Sequence, residues 1–244
     1  MFSGRVFNNR LSAFFVRQLS TIQTGEHINV TEKMDGVFNV ELNRPNNRNA
    51  FTLELWKSRR VRSIIKICQD GFTAVEKCQK PVIATLHGHC VGAGISLAGC
   101  CDIRLAVKDT VFSVKEVDIG IAADVGILQR LHFLTGNDSW SREIALTARD
   151  FNGTEALQQG FLSRVFDTRE ECAAAAFSLA QSIAGKSPIA VQGTKLAMNY
   201  ARRHGVDDAI EWIATWNQSQ LQSEDIVQNV SARMSGGKPT FRDV

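Results

Sequence analysis

The stretch that most constrains this chain begins at Pro81. Pro81-Val82-Ile83-Ala84-Thr85-Leu86 is a short apolar run rich in branched residues, followed by Gly88-His89-Cys90-Val91-Gly92-Ala93-Gly94. Six such residues bounded by a glycine cluster read as a buried strand entering a tight turn. The small-residue run Ile95–Cys101 then reads as a helix packed close to that strand. A strand that is apolar on both faces needs cover on both, which points to a layered α/β body. Backbone N–H groups at such a turn can hold an anion or a developing oxyanion. The same glycines also suit close packing of a helix on a sheet. Their spacing, at 88, 92 and 94, is not the GxGxxG of dinucleotide sites.

Elements of both kinds surround this unit. Residues 28–43 alternate polar and apolar around Asp35-Gly36, a hairpin signal. Residues 44–47 form a loop, and a helical pattern runs from Ala50 to about Cys78 with a break near Asp70-Gly71. Ile103–Val107 and Val111–Val114 read as short strands. Asp124 opens a helix ending near Gly136; a further helix, Thr154–Gly160 and the strand Phe161–Phe166 follow. Thr168-Arg169-Glu170-Glu171 is a capping box for a helix over 169–184, and Ser187-Pro188 starts another. One long helix is expected over 207–234, with a loose tail from Ser235.

The beginning of the chain differs in character. Arg5, Arg10 and Arg17 all precede the first acid, Glu26, and account for the whole surplus of 28 basic over 25 acidic residues. A neutral body argues against a nucleic-acid binder built on a basic face. Residues 1–25, rich in Arg, Ser and Phe and free of acid, have the composition of a mitochondrial transit peptide, so a matrix location is expected ahead of a peroxisomal one. The chain ends Arg-Asp-Val, which is not an S-K-L-type signal. No run approaches the ~20 apolar residues of a membrane span. Cysteines 68, 78, 90, 100, 101 and 172 form no CxxC pair, so no metal site is expected and buried free thiols are the better reading.

Two further features could carry chemistry. Glu116 and Asp124 lie eight residues apart in VKEVDIGIAADVG. Two carboxylates facing one pocket can pass protons to and from separate carbons, and an apolar setting raises their pKa values toward working pH. Equally, Asp124 suits a plain N-cap, and Glu116 or its neighbour Asp118 a solvated loop. Gly94-Ile95-Ser96-Leu97-Ala98 approaches the G-x-S-x-G nucleophile elbow but ends in Ala98; Ser96 also fits as a helix residue bonding the preceding turn.

Taken together, KPVIATLHGHCVGAGISLAGCCDIRLAVKDTVFSVKEVDIGIAADVGILQRL resembles the core signature of the crotonase (enoyl-CoA hydratase/isomerase) superfamily. KEVDIGIAADVG resembles its dienoyl-CoA isomerase branch, and the similarity continues through ALTARDFNGTEALQQGFLSRVF and SPIAVQGTKL. The resemblance implies an α/β spiral of ββα turns over 26–185 and a helical C-terminal trimerisation region over 186–244. It implies a homo-oligomer acting on an acyl-CoA substrate, with no cofactor beyond the coenzyme A that the substrate carries. Glu116 and Asp124 match the carboxylates that shift the double bonds of 3,5-dienoyl-CoA to 2,4-dienoyl-CoA. Gly92, Ala93 and Gly94 match the turn that binds the thioester, Ala93 supplying one oxyanion N–H. Ser96 stands where relatives carry a further acid, which argues against hydration.

One departure is large. Only 31 residues, 50–80, separate Asn49 from Pro81, where relatives have a strand, a loop giving the second oxyanion N–H, and further helices. A βα unit needs about 30 residues or more, so one unit is expected to be incomplete, and beside the strand at Pro81–Leu86 either the sheet closes over the gap or an edge is exposed. Three readings follow: a mitochondrial dienoyl-CoA isomerase of β-oxidation, impaired by the gap; a non-catalytic member that only joins trimers; or a hydrolase or thioesterase using Ser96.

Overall fold

In the computed structural model, residues 12–16, 28–34, 37–42 and 61–241 are described. The chain opens with strands β1 (Ser12–Val16), β2 (Ile28–Met34) and β3 (Val37–Leu42). β2 and β3 form the expected antiparallel hairpin. Its Asp35-Gly36 turn, the 44–47 loop and the first part of the helix expected from Ala50 lie outside the described residues. Helix α1 (Val61–Lys77) runs unbroken through Asp70-Gly71, contrary to expectation. Glycine inside a helix costs only about 1 kcal/mol, and tertiary anchors at Phe72 and Glu76, both buried, offset it.

The spiral follows. β4 (Val82–Leu86), β5 (His89–Val91) and α2 (Ala93–Ala98) form one ββα turn. β6 (Ile103–Val107), β7 (Val111–Ser113), a 3-10 turn (Lys115–Ile119) and helices α3 (Ile127–Leu134) and α4 (Asp138–Thr147) form the next. β8 (Phe151–Asn152), α5 (Gly153–Gln158), β9 (Arg164–Phe166) and α6 (Arg169–Ala184) complete it. Helices α7 (Pro188–Ala201), α8 (Val206–Gln220) and α9 (Glu224–Met234) end the chain. The expected single helix over 207–234 is therefore two. The strand expected from Phe161 is shorter: Phe161 and Leu162 are buried ahead of it in the main core.

One sheet has the order β2-β3-β1-β4-β6-β9, and a smaller one β5-β7-β8. β4, β6 and β9 run parallel, with Ile83 opposite Ile103 and Leu105 opposite Arg164. β4 is buried along its whole length. Val82, Ala84 and Leu86 face the main core with Phe112, Ile127, Ile144 and Phe161, while Ile83 joins Leu105 and Cys172, Ala176 and Ala180 of α6 on the other face. Alternate residues of a strand point to opposite faces, so one apolar run serves two layers.

The gap before Pro81 does not leave β4 without a neighbour. β1 lies between β3 and β4, antiparallel to both, with Phe14 opposite Asn39 on one side and Ile83 on the other. Of the two outcomes expected for this flank, closure is the one found, by a segment from the N-terminal stretch. Backbone groups need partners wherever the sheet is covered, and α6 packs across β1 as well as β4 and β6.

The helix starts match the sequence reading where it rested on capping. The Thr168 side chain accepts from the Glu171 N–H and Glu171 returns the bond at 3.2 Å. Ser187 caps α7, with Pro188 at its first position. All six cysteines are free: four are buried and Cys68 and Cys78 are half-buried. Burial pushes Cys100 and Cys172 up to about 11 and Cys101 to about 12, so these thiols stay protonated.

Candidate active site

The site is built where β5 and β7 lie side by side. β5 leads into the turn before α2, and β7 leads into the 3-10 turn carrying Glu116. Gly92 takes φ +57°, a backbone form that side chains rarely adopt. A Cβ on Gly92 would sit 3.7 Å from Glu116 Oε1, which puts the carboxylate in contact range of the turn. The Gly92 N–H donates to the Ser113 carbonyl at 3.0 Å. Of the three residues Gly92, Ala93 and Gly94, Gly92 is therefore not a free donor and shapes the turn instead. Ala93 and Gly94 are the first two residues of α2, where N–H groups have no intrahelical acceptor.

Glu116 is buried, 8% exposed, and its Oε2 has no hydrogen-bond partner among the described residues. A buried carboxylate oxygen left unpaired costs ~1–3 kcal/mol or more, which is reason to look for a bound group there. Burial raises the Glu116 pKa above its usual value; its own backbone N–H opposes this and the nearby Asp124 charge adds to it. The two acids are thus electrostatically in touch across eight residues. Asp118, the other acid of the turn, is exposed and paired with Lys115 at 3.3 Å, which leaves it on the surface.

Asp124 does not open a helix. α3 begins at Ile127, with Gly126 as its cap residue at φ +111°. Asp124 instead lies in an irregular segment between Gly120 (φ +79°) and Gly126. The reason is local: two glycines in left-handed conformation bracket the segment and hold the helix off until Ile127 can bury. Beside Asp124 lies a cavity of about 490 Å³ lined also by Gln69, Thr73, Glu76, Arg130 and Phe133. Glu76 is buried and accepts from Arg130 Nη2 at 2.6 Å and Nε at 3.0 Å.

Ser96 is fully buried in α2, and its hydroxyl has no partner among the described residues. Without an acceptor to take its proton, and without access for an acyl group, it is no nucleophile. The Ser96 hydrolase reading is set aside on this geometry. Among the described residues there is no cluster of three or more His, Cys, Asp or Glu side chains placed for a metal.

Comparison with known proteins places this geometry. Residues 59–243 match the enoyl-CoA hydratase/isomerase family. The chain belongs to that family. Among curated relatives, the mitochondrial Delta(3,5)-Delta(2,4)-dienoyl-CoA isomerase of Rattus norvegicus is 49% identical over 174 residues, 71% of this chain and 53% of the relative. The chain thus spans about half of that relative's length. The Homo sapiens protein of the same name is 38% identical over 258 residues, 85% of this chain and 79% of the relative. The Arabidopsis thaliana protein, named as peroxisomal, is 45% identical over 184 residues, 75% of this chain and 66% of the relative. An alignment of 258 positions on a 244-residue chain must open gaps in this chain, in keeping with an incomplete unit. An enoyl-CoA hydratase from Bacillus anthracis shares the fold, with TM-score 0.82 at 21% identity over 88% of this chain and 99% of that one. The enoyl-CoA hydratase/isomerase fold, a crotonase-like ββα spiral, is therefore that of this chain.

The sequence reading missed the contribution of α1. Gln69, Thr73 and Glu76 stand at i, i+4 and i+7, one face of a helix, and all three line the cavity beside Asp124. That polar stripe is visible in the sequence, but its target, 55 residues away, is not.

Proposed function

We propose that this chain is an isomerase that converts 3,5-dienoyl-CoA to 2,4-dienoyl-CoA, with Glu116 and Asp124 moving the protons. One observation carries the reading: a buried carboxylate with an unpartnered oxygen, beside a glycine turn and with a second acid near enough to raise its pKa. The names of the rat and human relatives agree with it.

The position of Glu116 against Gly92 supports one order of steps. The thioester carbonyl accepts from the Ala93 N–H, which stabilises the enolate oxygen as charge develops. Glu116, against Gly92, is then the acid nearest the carbonyl and takes the proton from C2. The electron pair of that C–H bond becomes C2=C3, the C3=C4 pair moves to C4=C5, and the C5=C6 pair takes a proton at C6 from Asp124. One proton leaves carbon and one returns, so no redox step is involved. The raised pKa of Glu116 suits it to hold the C2 proton between these steps.

The second oxyanion donor expected from relatives falls in the incomplete unit. A site with one donor fewer runs about 10²–10³ slower, so turnover should be slow. The acid-free start and the mitochondrial relatives support a matrix location. Ile210, Val227 and Val230, exposed on α8 and α9, support burial against further copies of the chain in a trimer. The test is incubation with a 3,5-dienoyl-CoA. The product's double bonds conjugate with the thioester and absorb at longer wavelength. Absence of that band, together with no exchange of the C2 protons in D₂O, would overturn the reading and leave a non-catalytic trimer subunit.

A further inference from the structure

We infer that Gln69 is a positioning residue for Asp124. The inference deepens the proposed isomerase reading and rests on it. Gln69 Nε2 donates to the Asp124 backbone carbonyl at 2.7 Å, from α1 across 55 residues. The Asp124 segment has no helix or strand of its own between the 3-10 turn and α3. At its start, the Ile121 N–H donates to the Glu116 carbonyl at 3.2 Å. At its end, Arg130 Nη1 donates to the Gly126 carbonyl at 3.1 Å. Gln69 supplies the middle tie, at the residue whose carboxyl must reach C6.

The anchor is itself held. Arg130 bridges the end of the segment to Thr73 and Glu76 of α1, so Gln69 and the Arg130 contacts stand on one helix face. Gln69 is half-buried and lines the same cavity as Asp124. A helix face that fixes the middle and the end of an irregular loop sets the carboxyl's reach, and misplacement of a catalytic group by about 1 Å costs on the order of 10²-fold in rate. The Gln69 side chain bonds the backbone of Asp124, so it acts through that residue.

The reaction gives a way to separate this role from general structural support. Exchange of the C2 protons into D₂O reports Glu116 and the oxyanion turn alone, whereas appearance of the 2,4-diene needs Asp124 as well. Gln69→Met keeps the length of the side chain and removes the donor; Gln69→Arg restores a donor. In Gln69→Met, diene formation should fall about 10-fold or more, while C2 exchange and KM stay within about twofold. Gln69→Arg should recover part of the loss. Backbone hydrogen exchange supplies a readout independent of turnover: amides of residues 121–126 should exchange faster in Gln69→Met, with those of β4 and β6 unchanged. Parallel loss of both proton steps, or unchanged exchange at 121–126, would overturn the inference. Wild-type chain that performs neither proton step would instead sink the isomerase reading, and the amide exchange would still decide whether Gln69 holds the loop.

Discussion

The spiral interior and the C-terminal helices use the same residue types to opposite ends. α2, six residues long, buries Ile95, Ser96 and Ala98, and β4 is buried along its whole length. α8 is fifteen residues long and buries none; α9 buries only Asp225. Val206, Ile210, Leu221, Val227, Val230 and Met234 are all exposed in this region. The interior satisfies its apolar surface within one chain, while the last helices carry apolar faces that a single chain leaves open. α7 joins the two: Lys195, nearly fully buried, lies 2.7 Å from Asp102 and 3.0 Å from the Lys80 carbonyl, and Asp102 in turn accepts the Val82 N–H at 2.7 Å. Helical propensity and packing are thus separate matters. Neither α8 nor α9 has a side-chain cap; α8 leans on α7, where Tyr200 stacks on Trp212 at 5.0 Å, and leaves its other face open.

The contrast can be tested from the interior outward. The largest effect should follow removal of residues 1–25. This takes away β1, the shared partner of β3 and β4, and each buried backbone group left unpaired costs about 1–3 kcal/mol. Thermal melts of the two chains should differ by many degrees, and equal midpoints would show that another segment closes the flank. Next, Phe112→Ala should lose about 3–5 kcal/mol by denaturant titration, because Phe112 is fully buried and packs on Phe151 at 5.5 Å and Phe161 at 5.9 Å. A smaller loss would mean that the interior collapses around the cavity.

Glu116→Gln and Asp124→Asn should each lower kcat by at least ~10², with Ser96→Ala changing it far less; full activity in either carboxamide variant would end the assignment. Glu116→Gln should also stabilise the fold, and the sign follows from its raised pKa. The folded chain holds this proton more tightly than the unfolded chain, so stability is highest below the unfolded value and declines as pH rises through the folded one. The melting gain of Glu116→Gln over wild type should therefore be near zero at acid pH, grow as pH rises above the unfolded value, and level off above the folded one. The smallest effect is expected at the periphery. Val227→Asp should leave the midpoint of a dilute chain within a degree or two, since it removes no buried contact, while shifting sedimentation toward the monomer. A large loss of monomer stability would show that α9 is part of the folding unit.

Much of this protein was legible from residues alone because the signals were local. The strand at Pro81–Leu86, the glycine turn, the Thr168 capping box and the Ser187-Pro188 start each depend on neighbours within four or so residues, and each is where it was expected. The acid pair was legible as a pattern, and resemblance to the enoyl-CoA hydratase/isomerase family gave it a role. What the sequence could not hold was the long-range part. That residues 12–16 close the flank of β4 depends on backbone pairing across some seventy positions, to which composition is blind. That Asp124 lies in a loop bonded by Gln69, and not at the helix N-cap expected there, depends on α1 meeting that loop from 55 residues away. That Glu116 is buried while Asp118, two residues along, is exposed depends on which side of a 3-10 turn faces the core. Local pattern chose the elements; the burial of their apolar faces, satisfied only in three dimensions, chose the partners.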